Sequence, residues 1–157
     1  MSAERIANFN RTPVNHRAEG RRIFFLDIEN YAGKALLSAD DVLAVRESVE
    51  RQFAPGEADL IVIGTSGSAN FLASALAWEG PRHVLKRGHD GADLALLEAI
   101  GEYRLDTFDE VLLMSGDGIF ADKASELVGR GLDVTVVSRP GSLSWRLVAA
   151  APYLLAA

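Results

Sequence analysis

Hydrophobic and polar positions follow two different periods along the chain from residue 22 onward. Short continuous apolar runs are typical of strands buried on both faces, whereas apolar residues three and four positions apart are typical of helices. The continuous runs predict strands at residues 22–28, 59–64, 82–86, 111–114 and 133–138, with a further candidate edge strand at 153–156. The helical spacing predicts helices at residues 38–53, 68–78, 91–104, 121–131 and 143–151.

This alternation of strands and helices determines the predicted architecture. Repeated β-α units with right-handed crossovers produce a parallel sheet that is covered by helices on both faces. We therefore predict a three-layer α/β/α sandwich around a mostly parallel central sheet of about five strands. Residues 22–157 are expected to form this single domain, with no linker, internal repeat or low-complexity segment inside it.

Composition removes several classes of function. The chain has no cysteine, so it has no disulfide framework, no thiolate metal site and no thiol nucleophile. No apolar stretch reaches the roughly 20 residues that a membrane span needs, and the N-terminus lacks the apolar core of a signal peptide. We therefore expect a cytoplasmic protein that makes no contact with a membrane.

The formal net charge of -6 is unevenly distributed. The first 22 residues contain five arginines and two glutamates, whereas the rest of the chain is acidic. Residues 1–21 also lack hydrophobic periodicity, so we predict a basic, disordered N-terminal arm. Such an arm is either a solvated tail or a contact to phosphate groups, and the sequence leaves both alternatives open.

Three aspartates follow or begin predicted elements at the same edge of the sheet. Asp27 ends the first strand, Asp117 follows the fourth strand, and Asp93 lies in the first turn of the third helix, three residues after Asp90 in the connecting loop. Ligands of open parallel sheets bind at the carboxyl ends of the strands. If the first and fourth strands are neighbours, the three carboxylates converge and repel one another unless a hard cation binds between them.

Each of these aspartates also has a purely structural interpretation. Asp93 can interact with its helix dipole, Asp117 can be a turn residue between two glycines, and Asp27 can form an Asx turn. All three interpretations would have to hold together at one edge of the sheet. The pattern therefore favours a shared Mg²⁺ or Mn²⁺ ion, with Gly116 and Gly118 leaving room for a phosphate backbone to approach.

Other patterns carry less information. The loop 64–70 (GTSGSAN) lies between a strand and a helix, as phosphate-binding loops do, but it matches no nucleotide-binding motif. Lys86 and Arg87 end the third strand and are candidates for contacts with a phosphodiester backbone. Trp78 and Trp145 follow helical apolar positions, so we expect core or groove-wall residues there rather than platforms for base stacking.

Four stretches resemble the NYN domains of the PIN-like superfamily of metal-dependent ribonucleases. FLDIEN (25–30) is similar to the opening motif of the family, and DGADLALLEAI (90–100) is similar to its Gly-x-Asp motif at the third helix. MSGDGIF (114–120) resembles the Ser-Gly-Asp-x-Asp-Phe motif after the fourth strand. The closing residues 131–155 resemble the final strand and its Leu-Ser-x-x-Leu helix. The motifs occur in the family's order, which makes the resemblance more specific than any single motif.

The resemblance implies roles for particular residues. Asp27, Asp93 and Asp117 match the acidic positions, so they would be the catalytic and metal-binding residues. Asn30 and Ser115 would be neighbouring substrate-binding groups that orient a ligand or water. The implied fold is PIN-like, in agreement with the hydrophobic pattern.

Two positions depart from the family pattern. Ile119 stands where the family usually has a second aspartate, and Glu98 is only close to the register of the acidic residue expected later in the third helix. With about one carboxylate fewer, the site has ligands for one ion rather than clearly for two.

The sequence therefore leads to a hypothesis with one main alternative. The chain is expected to be a Mg²⁺- or Mn²⁺-dependent endoribonuclease that cleaves single-stranded RNA, with Lys86 and Arg87 as substrate-binding cations. The alternative, favoured by Ile119, is a weak or inactive module of the same fold that binds RNA, a nucleotide or a protein partner, or forms a homo-oligomer. A haloacid-dehalogenase-type phosphatase fits poorly, because Glu29 replaces the second aspartate of its motif.

Overall fold

Six parallel strands form the central sheet, in the order β3-β2-β1-β4-β5-β6. The computed structural model describes residues 20–157. The strands are β1 Arg22–Asp27, β2 Leu60–Thr65, β3 Arg82–Leu85, β4 Glu110–Met114, β5 Val134–Ser138 and β6 Tyr153–Ala156. The predicted α/β fold with a parallel sheet is confirmed. The sheet has six strands rather than about five, because the closing residues pair with β5.

Six helices cover the two faces of the sheet. They are α1 Ile28–Ala32, α2 Ala39–Phe53, α3 Ser68–Ala77, α4 Gly91–Glu102, α5 Ala121–Gly129 and α6 Trp145–Ala150. Side chains of β1 alternate between two hydrophobic clusters, with Phe24 and Leu26 facing α1–α3, and Ile23 and Phe25 facing α4–α6. No helix within residues 20–157 combines the length and the hydrophobicity that a membrane crossing requires.

Within the sheet, β1 lies directly beside β4, and Leu26 pairs with Met114 near the ends of the two strands. The sheet order reverses at this pair, since β2 and β3 extend to one side and β5 and β6 to the other. The expected adjacency of the first and fourth strands is therefore confirmed. In sheets of this type the crevice beyond such a switch point is where ligands bind.

Helix α1 has no counterpart in the hydrophobic pattern. It begins directly after Asp27 and ends at Gly33, whose φ of 70° is left-handed and therefore favours glycine. With five residues the helix is too short to display a 3.6-residue period. It turns the chain sharply at the carboxyl end of β1 and leaves Asn30 facing the loop after β4.

The two tryptophans differ in exposure. Trp78 is 4% exposed and packs in the cluster beneath α2 and α3, as expected. Trp145 is 65% exposed, so it is not a core residue, and the alternative of a groove-wall position stays a prediction. The reason is that α6 has six residues and buries only Leu147.

The predicted arm, residues 1–21, lies outside the described residues except for Gly20 and Arg21. The Arg21 backbone N–H donates to Oδ2 of Asp109 over 2.7 Å, and its guanidinium lies 4.3 Å from the centre of the Phe108 ring. Arg21 therefore packs against the domain at the start of β1.

Candidate metal centre

Asp27 is a buried carboxylate at the carboxyl end of β1. Its Oδ1 atom accepts a hydrogen bond from the backbone N–H of Asn30 over 3.1 Å, which caps α1. The Asx-type role considered for this residue is therefore present, but it engages one oxygen. Burial raises the pKa of the Asp27 carboxyl, while hydrogen bonds with Asp93 and the Asn30 N–H oppose that shift.

Asp93 lies in the first turn of α4 and is 5% exposed. No N–H or O–H group among residues 20–157 donates to its Oδ1 atom, although the atom is buried. Burial, the hydrogen bond with Asp27, and the negative charges of Asp27 and Asp117 raise the pKa of Asp93 to about 9. A residue that served only its helix dipole would show the opposite shift, because the dipole stabilises the charged form. The helix-dipole interpretation therefore does not account for Asp93.

The two carboxyl groups of Asp27 and Asp93 share a hydrogen bond that only a proton can provide. This contact raises the pKa of Asp93 and opposes the rise at Asp27, so the pair holds one proton between its two carboxyl groups. Without a cation, the pair is stable near neutral pH only in this half-protonated form.

Asp117 lies in the loop that follows β4. Its Oδ1 atom accepts a hydrogen bond from the Ile119 N–H over 3.0 Å and so begins a 3-10 turn at Gly118–Phe120. The turn interpretation is correct for this one oxygen. The carboxylate adds negative charge that raises the pKa values of both Asp27 and Asp93.

Asn30 and Ser115 hold the backbone of this loop. The Asn30 side-chain oxygen accepts from the Gly116 N–H over 3.0 Å, and the Ser115 hydroxyl accepts from the Asp117 N–H over 3.2 Å. In this structure the two residues, predicted to contact a ligand, position the loop that carries Asp117. Their contacts link α1 directly to the end of β4.

Gly116 is required for a different reason from the one that the sequence suggested. A Cβ atom at this position would lie 2.1 Å from the Ser142 carbonyl oxygen and 2.3 Å from the Ser138 hydroxyl. At Gly118 a Cβ atom would lie 2.8 Å from the Ser144 hydroxyl. The glycines therefore admit the chain segment before α6, and their role in leaving space for a phosphate stays a prediction.

Three carboxylate groups can each direct one oxygen to a common point. Oxygens of Asp90, Asp93 and Asp117 all lie within 4.8 Å of one another. Asp27 contacts Asp93 but does not belong to this set. The sequence analysis placed Asp90 in the loop without assigning it to the site. Its backbone is left-handed, with φ of 56°, and this conformation directs the chain into α4.

The donor set fits a hard divalent cation. Mg²⁺ and Ca²⁺ bind oxygen ligands at about 2.0–2.6 Å, so the ligands of one ion lie at most about 5 Å apart. The Oδ1 atom of Asp93 is buried and accepts no hydrogen bond from residues 20–157, so the protein leaves one oxygen of this carboxyl group unsatisfied. Carboxylates without cysteine or histidine favour Mg²⁺ or Mn²⁺ over softer metals.

A groove of about 430 Å³ lies beside these carboxylates. Its lining includes Asp27, Asp90 and Asp93 together with Arg139. The Arg139 guanidinium donates to the Asn30 carbonyl oxygen over 3.2 Å, and Lys34 also lines the groove, so two cations accompany its carboxylates. Arg139 was not predicted as a site residue, because it lies between the final strand and its helix and matches none of the acidic positions of the motifs.

Lys86 and Arg87 lie apart from that groove. Lys86 forms an ion pair with Glu98 and lines a second cleft, of about 510 Å³, together with Ile119. The Arg87 guanidinium donates to the Ser68 hydroxyl over 3.2 Å. Both cations are at the carboxyl edge of the sheet, as predicted, but they do not belong to the carboxylate cluster.

The loop 64–70 is occupied by a carboxylate of the chain itself. Glu29 accepts hydrogen bonds from the Ser66 N–H over 2.8 Å, from the Ser66 hydroxyl, and from the Asn70 amide over 3.0 Å. These donors would otherwise be available to a phosphate. Glu29 thus connects α1 to the start of α3, and the loop has a structural role.

Comparison with known proteins agrees with this geometry. A solved structure of a protein of unknown function from Vibrio parahaemolyticus shares the fold, with a TM-score of 0.57 and 18% identity over 87% of this chain and 92% of that chain. No curated protein matches the chain in sequence. The model of the NYN domain family matches residues 23–156. The chain is therefore a member of the NYN domain family, within the PIN-like nuclease superfamily.

Proposed function

We propose that this protein is a metal-dependent endoribonuclease that hydrolyses phosphodiester bonds of single-stranded RNA. The observation that supports the proposal best is the convergence of Asp90, Asp93 and Asp117 at the switch point of the sheet. Asp93 is also buried, and its Oδ1 atom has no protein donor among residues 20–157. Membership of a nuclease family makes an RNA phosphate the natural ligand for such a centre. An RNA substrate also agrees with the cytoplasmic location that the sequence predicts.

The chain contributes the positions and charges of this centre. Asp90, Asp93 and Asp117 would hold the cation, and Asp27 would lie in contact with Asp93 beside them. Asn30 and Ser115 hold the Asp117 loop in place. A bound Mg²⁺ or Mn²⁺ supplies Lewis-acid polarisation of the phosphate and a lower pKa for the attacking water.

The proposed reaction is a simple hydrolysis. A water oxygen forms a bond to phosphorus, the bond from phosphorus to the 3′ oxygen breaks, and the departing oxygen takes a proton to become a hydroxyl. The products are a 5′-phosphate and a 3′-hydroxyl. Lys86 and Arg87, together with Arg139 at the rim, would offset the charge of the approaching strand.

The acidic character of the domain favours a single strand over a duplex. High affinity for duplex nucleic acid depends on extended basic patches, whereas this chain has a net charge of -6. The groove of about 430 Å³ is lined by several carboxylates together with Lys34 and Arg139. A flexible single strand can enter such a groove one phosphate at a time.

A second candidate function rests on Ile119. Its side chain is half-buried against the hydrophobic cluster under α4 and α5, and it supplies no oxygen to the centre. With fewer carboxylates than its family usually has, the domain would bind RNA, a nucleotide or a protein partner without cleaving a substrate. This alternative predicts binding that does not require a divalent ion.

Cleavage of labelled single-stranded RNA by the purified protein tests the proposal. We expect cleavage with Mg²⁺ or Mn²⁺, loss of cleavage on chelation, and loss of cleavage in Asp117→Asn with an unchanged circular dichroism spectrum. Asp122→Asn is the matched control, because Asp122 is a solvent-exposed aspartate one turn further along the chain. Absence of both cleavage and divalent-ion binding in calorimetry would overturn the nuclease proposal and leave the binding module.

A further inference from the structure

The exposed Trp145 side chain is the feature that the proposed centre does not use. Tryptophan has one of the largest apolar surfaces of any side chain, and it is usually buried for most of its area. Trp145 is 65% exposed at the first position of α6. A folded domain gains nothing from this exposure by itself, so a ligand that covers the indole is the physical explanation to seek.

Trp145 is held close to the Asp117 loop by backbone contacts. The preceding Ser144 N–H donates to the Gly116 carbonyl oxygen over 2.8 Å, and the Ser144 hydroxyl caps α6. Bond geometry then limits the separation between the Cα atoms of Trp145 and Asp117 to about 10 Å. This length corresponds to about three stacked nucleotides at roughly 3.4 Å each.

The surroundings of Trp145 are suited to a nucleic acid strand. Arg146 follows it directly and forms only a long contact of 3.4 Å with Asp122, which leaves guanidinium donors available. Arg139 lies on the same chain segment and lines the acidic groove. An exposed indole that Arg146 follows directly, within one short strand length of a carboxylate cluster, is the arrangement of a single-strand binding surface.

A protein partner is the other class of occupant, and the structure favours it less. Specific protein interfaces bury about 800 Å² on each partner, which requires a broad patch. The most exposed leucines among residues 20–157, Leu36, Leu72 and Leu76, belong to α3 and the loop hydrogen-bonded to it, on the opposite face of the sheet. They do not extend the surface around Trp145.

We propose that Trp145 stacks on a base of the single-stranded RNA whose phosphate lies at the carboxylate centre. Stacking tolerates any base, so the contact selects unpaired strands without selecting a sequence. Arg146 and Arg139 would contact the phosphates on either side. The proposal rests on the proposed function for its ligand, but binding can be measured independently of cleavage.

Intrinsic fluorescence of Trp145 tests the contact directly. The chain has two tryptophans, and Trp78 is buried, so a strand that reaches the protein surface quenches Trp145 selectively. We expect an unlabelled single-stranded RNA of about ten nucleotides, added in chelator, to quench the wild type. Trp145→Phe should lose this quenching, since only Trp78 remains.

Affinity for a fluorescein-labelled RNA of the same length, measured by anisotropy in chelator, gives the size of the effect. Trp145→Ala should weaken binding by about 5- to 150-fold, the range for the loss of one stacked base. Trp145→Phe should restore part of the affinity. A strand with abasic sites should bind the wild type and Trp145→Ala equally, because it keeps the phosphates and lacks the bases.

Tyr153→Ala is the matched control. Tyr153 is another exposed aromatic residue, but it begins β6 and so lies at the amino edge of the sheet, away from the carboxylates. Its removal should leave RNA binding unchanged. Equal losses in Tyr153→Ala and Trp145→Ala would overturn the proposal, because the effect would then be general.

The remaining outcomes separate the two proposals. Binding that depends on Trp145, without cleavage under any divalent ion, supports stacking and contradicts the nuclease. Cleavage that is unchanged in Trp145→Ala, or wild-type protein that does not bind RNA, overturns stacking. Self-association of the wild type that disappears in Trp145→Ala on sedimentation would assign the indole to a protein interface and would also overturn the proposal.

Discussion

Two buried carboxylates at opposite edges of the sheet behave in opposite ways. Asp59 precedes β2 at the amino edge, and its side chain is 4% exposed. Asp93 begins α4 at the carboxyl edge and is 5% exposed. The pKa of Asp59 lies below its ordinary value, whereas the pKa of Asp93 is raised to about 9. Burial acts to raise the pKa of both carboxyl groups, so burial does not determine the opposite directions of the two shifts.

The number of hydrogen-bond donors around each carboxyl group explains why the pKa values of Asp59 and Asp93 shift in opposite directions. Asp59 accepts from the Arg22 backbone N–H over 2.8 Å, from the Arg22 guanidinium over 2.7 Å, and from the Gly56 N–H over 2.9 Å. These contacts with their positive charge outweigh the effect of burial on its pKa. Asp93 has no such donor at its Oδ1 atom within residues 20–157, and it faces the three carboxylates of Asp27, Asp90 and Asp117. A satisfied carboxylate stabilises the fold, whereas an unsatisfied one is available to a cation.

The largest expected difference between the two residues is in cleavage. Asp93→Asn should lower the rate of metal-dependent RNA cleavage by more than about 100-fold, since even the loss of an outer-shell partner changes metal sites by about 10- to 100-fold. Asp59→Asn should retain activity in proportion to its folded fraction. Cleavage rates measured at a temperature where both variants are folded check this. Equal losses in the two variants would contradict a dedicated site at the carboxyl edge.

The free energy of unfolding should show the reverse order, with a larger loss in Asp59→Asn than in Asp93→Asn. Asp59→Asn should lower the free energy of unfolding by about 3 kcal/mol, because it leaves the buried Arg22 guanidinium without its charged partner. The folded-state pKa of Asp59 is below its unfolded value, so its stabilisation is present above about pH 4 and is lost as pH falls through the folded pKa. Urea unfolding of wild type and variant should therefore differ near neutral pH and converge in acid. A constant difference across this range would count against the ion pair.

A new carboxylate at position 119 extends the comparison of Asp59 with Asp93, because it adds another acid at the carboxyl edge of the sheet. Ile119→Asp should raise affinity for Mn²⁺ or Mg²⁺ by about tenfold, equivalent to about 1.4 kcal/mol, because it restores an acid where the NYN family usually has one. Ile119→Asn is the matched control, since it has nearly the same size and no charge. Titration calorimetry distinguishes the two. A gain of cleavage from an inactive wild type would identify a degenerate nuclease.

The smallest expected effect is on the stability of Asp93→Asn, and it is an increase, whereas Asp59→Asn lowers the free energy of unfolding. In chelator near neutral pH, Asp93→Asn should raise the free energy of unfolding by about 1 kcal/mol, because the amide can donate to Asp27 without holding a proton. The raised pKa of Asp93 means that the folded state holds a proton which the unfolded chain releases, so wild-type stability falls as pH rises from about 4 to about 9. The variant should lose most of this slope in thermal unfolding measured across that range. A destabilised Asp93→Asn would show that the carboxyl has a structural role.

Long, regular elements were predictable from the sequence. The strands and helices with clear periods all occur close to their predicted bounds, because continuous apolar runs and 3.6-residue spacing reflect local burial. Helix α1 was missed because its five residues are too few to show a period. The exposure of Trp145 was missed for a related reason, since a short helix at the edge of a domain can satisfy its pattern with one buried leucine.

The candidate site was predictable only in part. Asp27 and Asp117 follow neighbouring parallel strands, so their edge of the sheet could be inferred from sequence position. The contribution of Asp90 depends on a left-handed backbone in the loop before α4, which no local pattern specifies. The role of Gly116 depends on contact with Ser142 from a segment 26 residues later in the chain.

The sequence by itself therefore determined the order of the strands and helices, the parallel sheet and the edge at which the aspartates collect, because these follow from local periodicity and from the rules of chain connection. Only the tertiary structure decided which carboxylates converge, that Glu29 occupies the loop before α3, and that Asp59 and Asp93 have opposite pKa shifts. The physical reason is that donors, charges and solvent around a side chain come from segments far apart in sequence. Their effect on an aspartate is set by distances of a few ångströms, which no pattern along the chain contains.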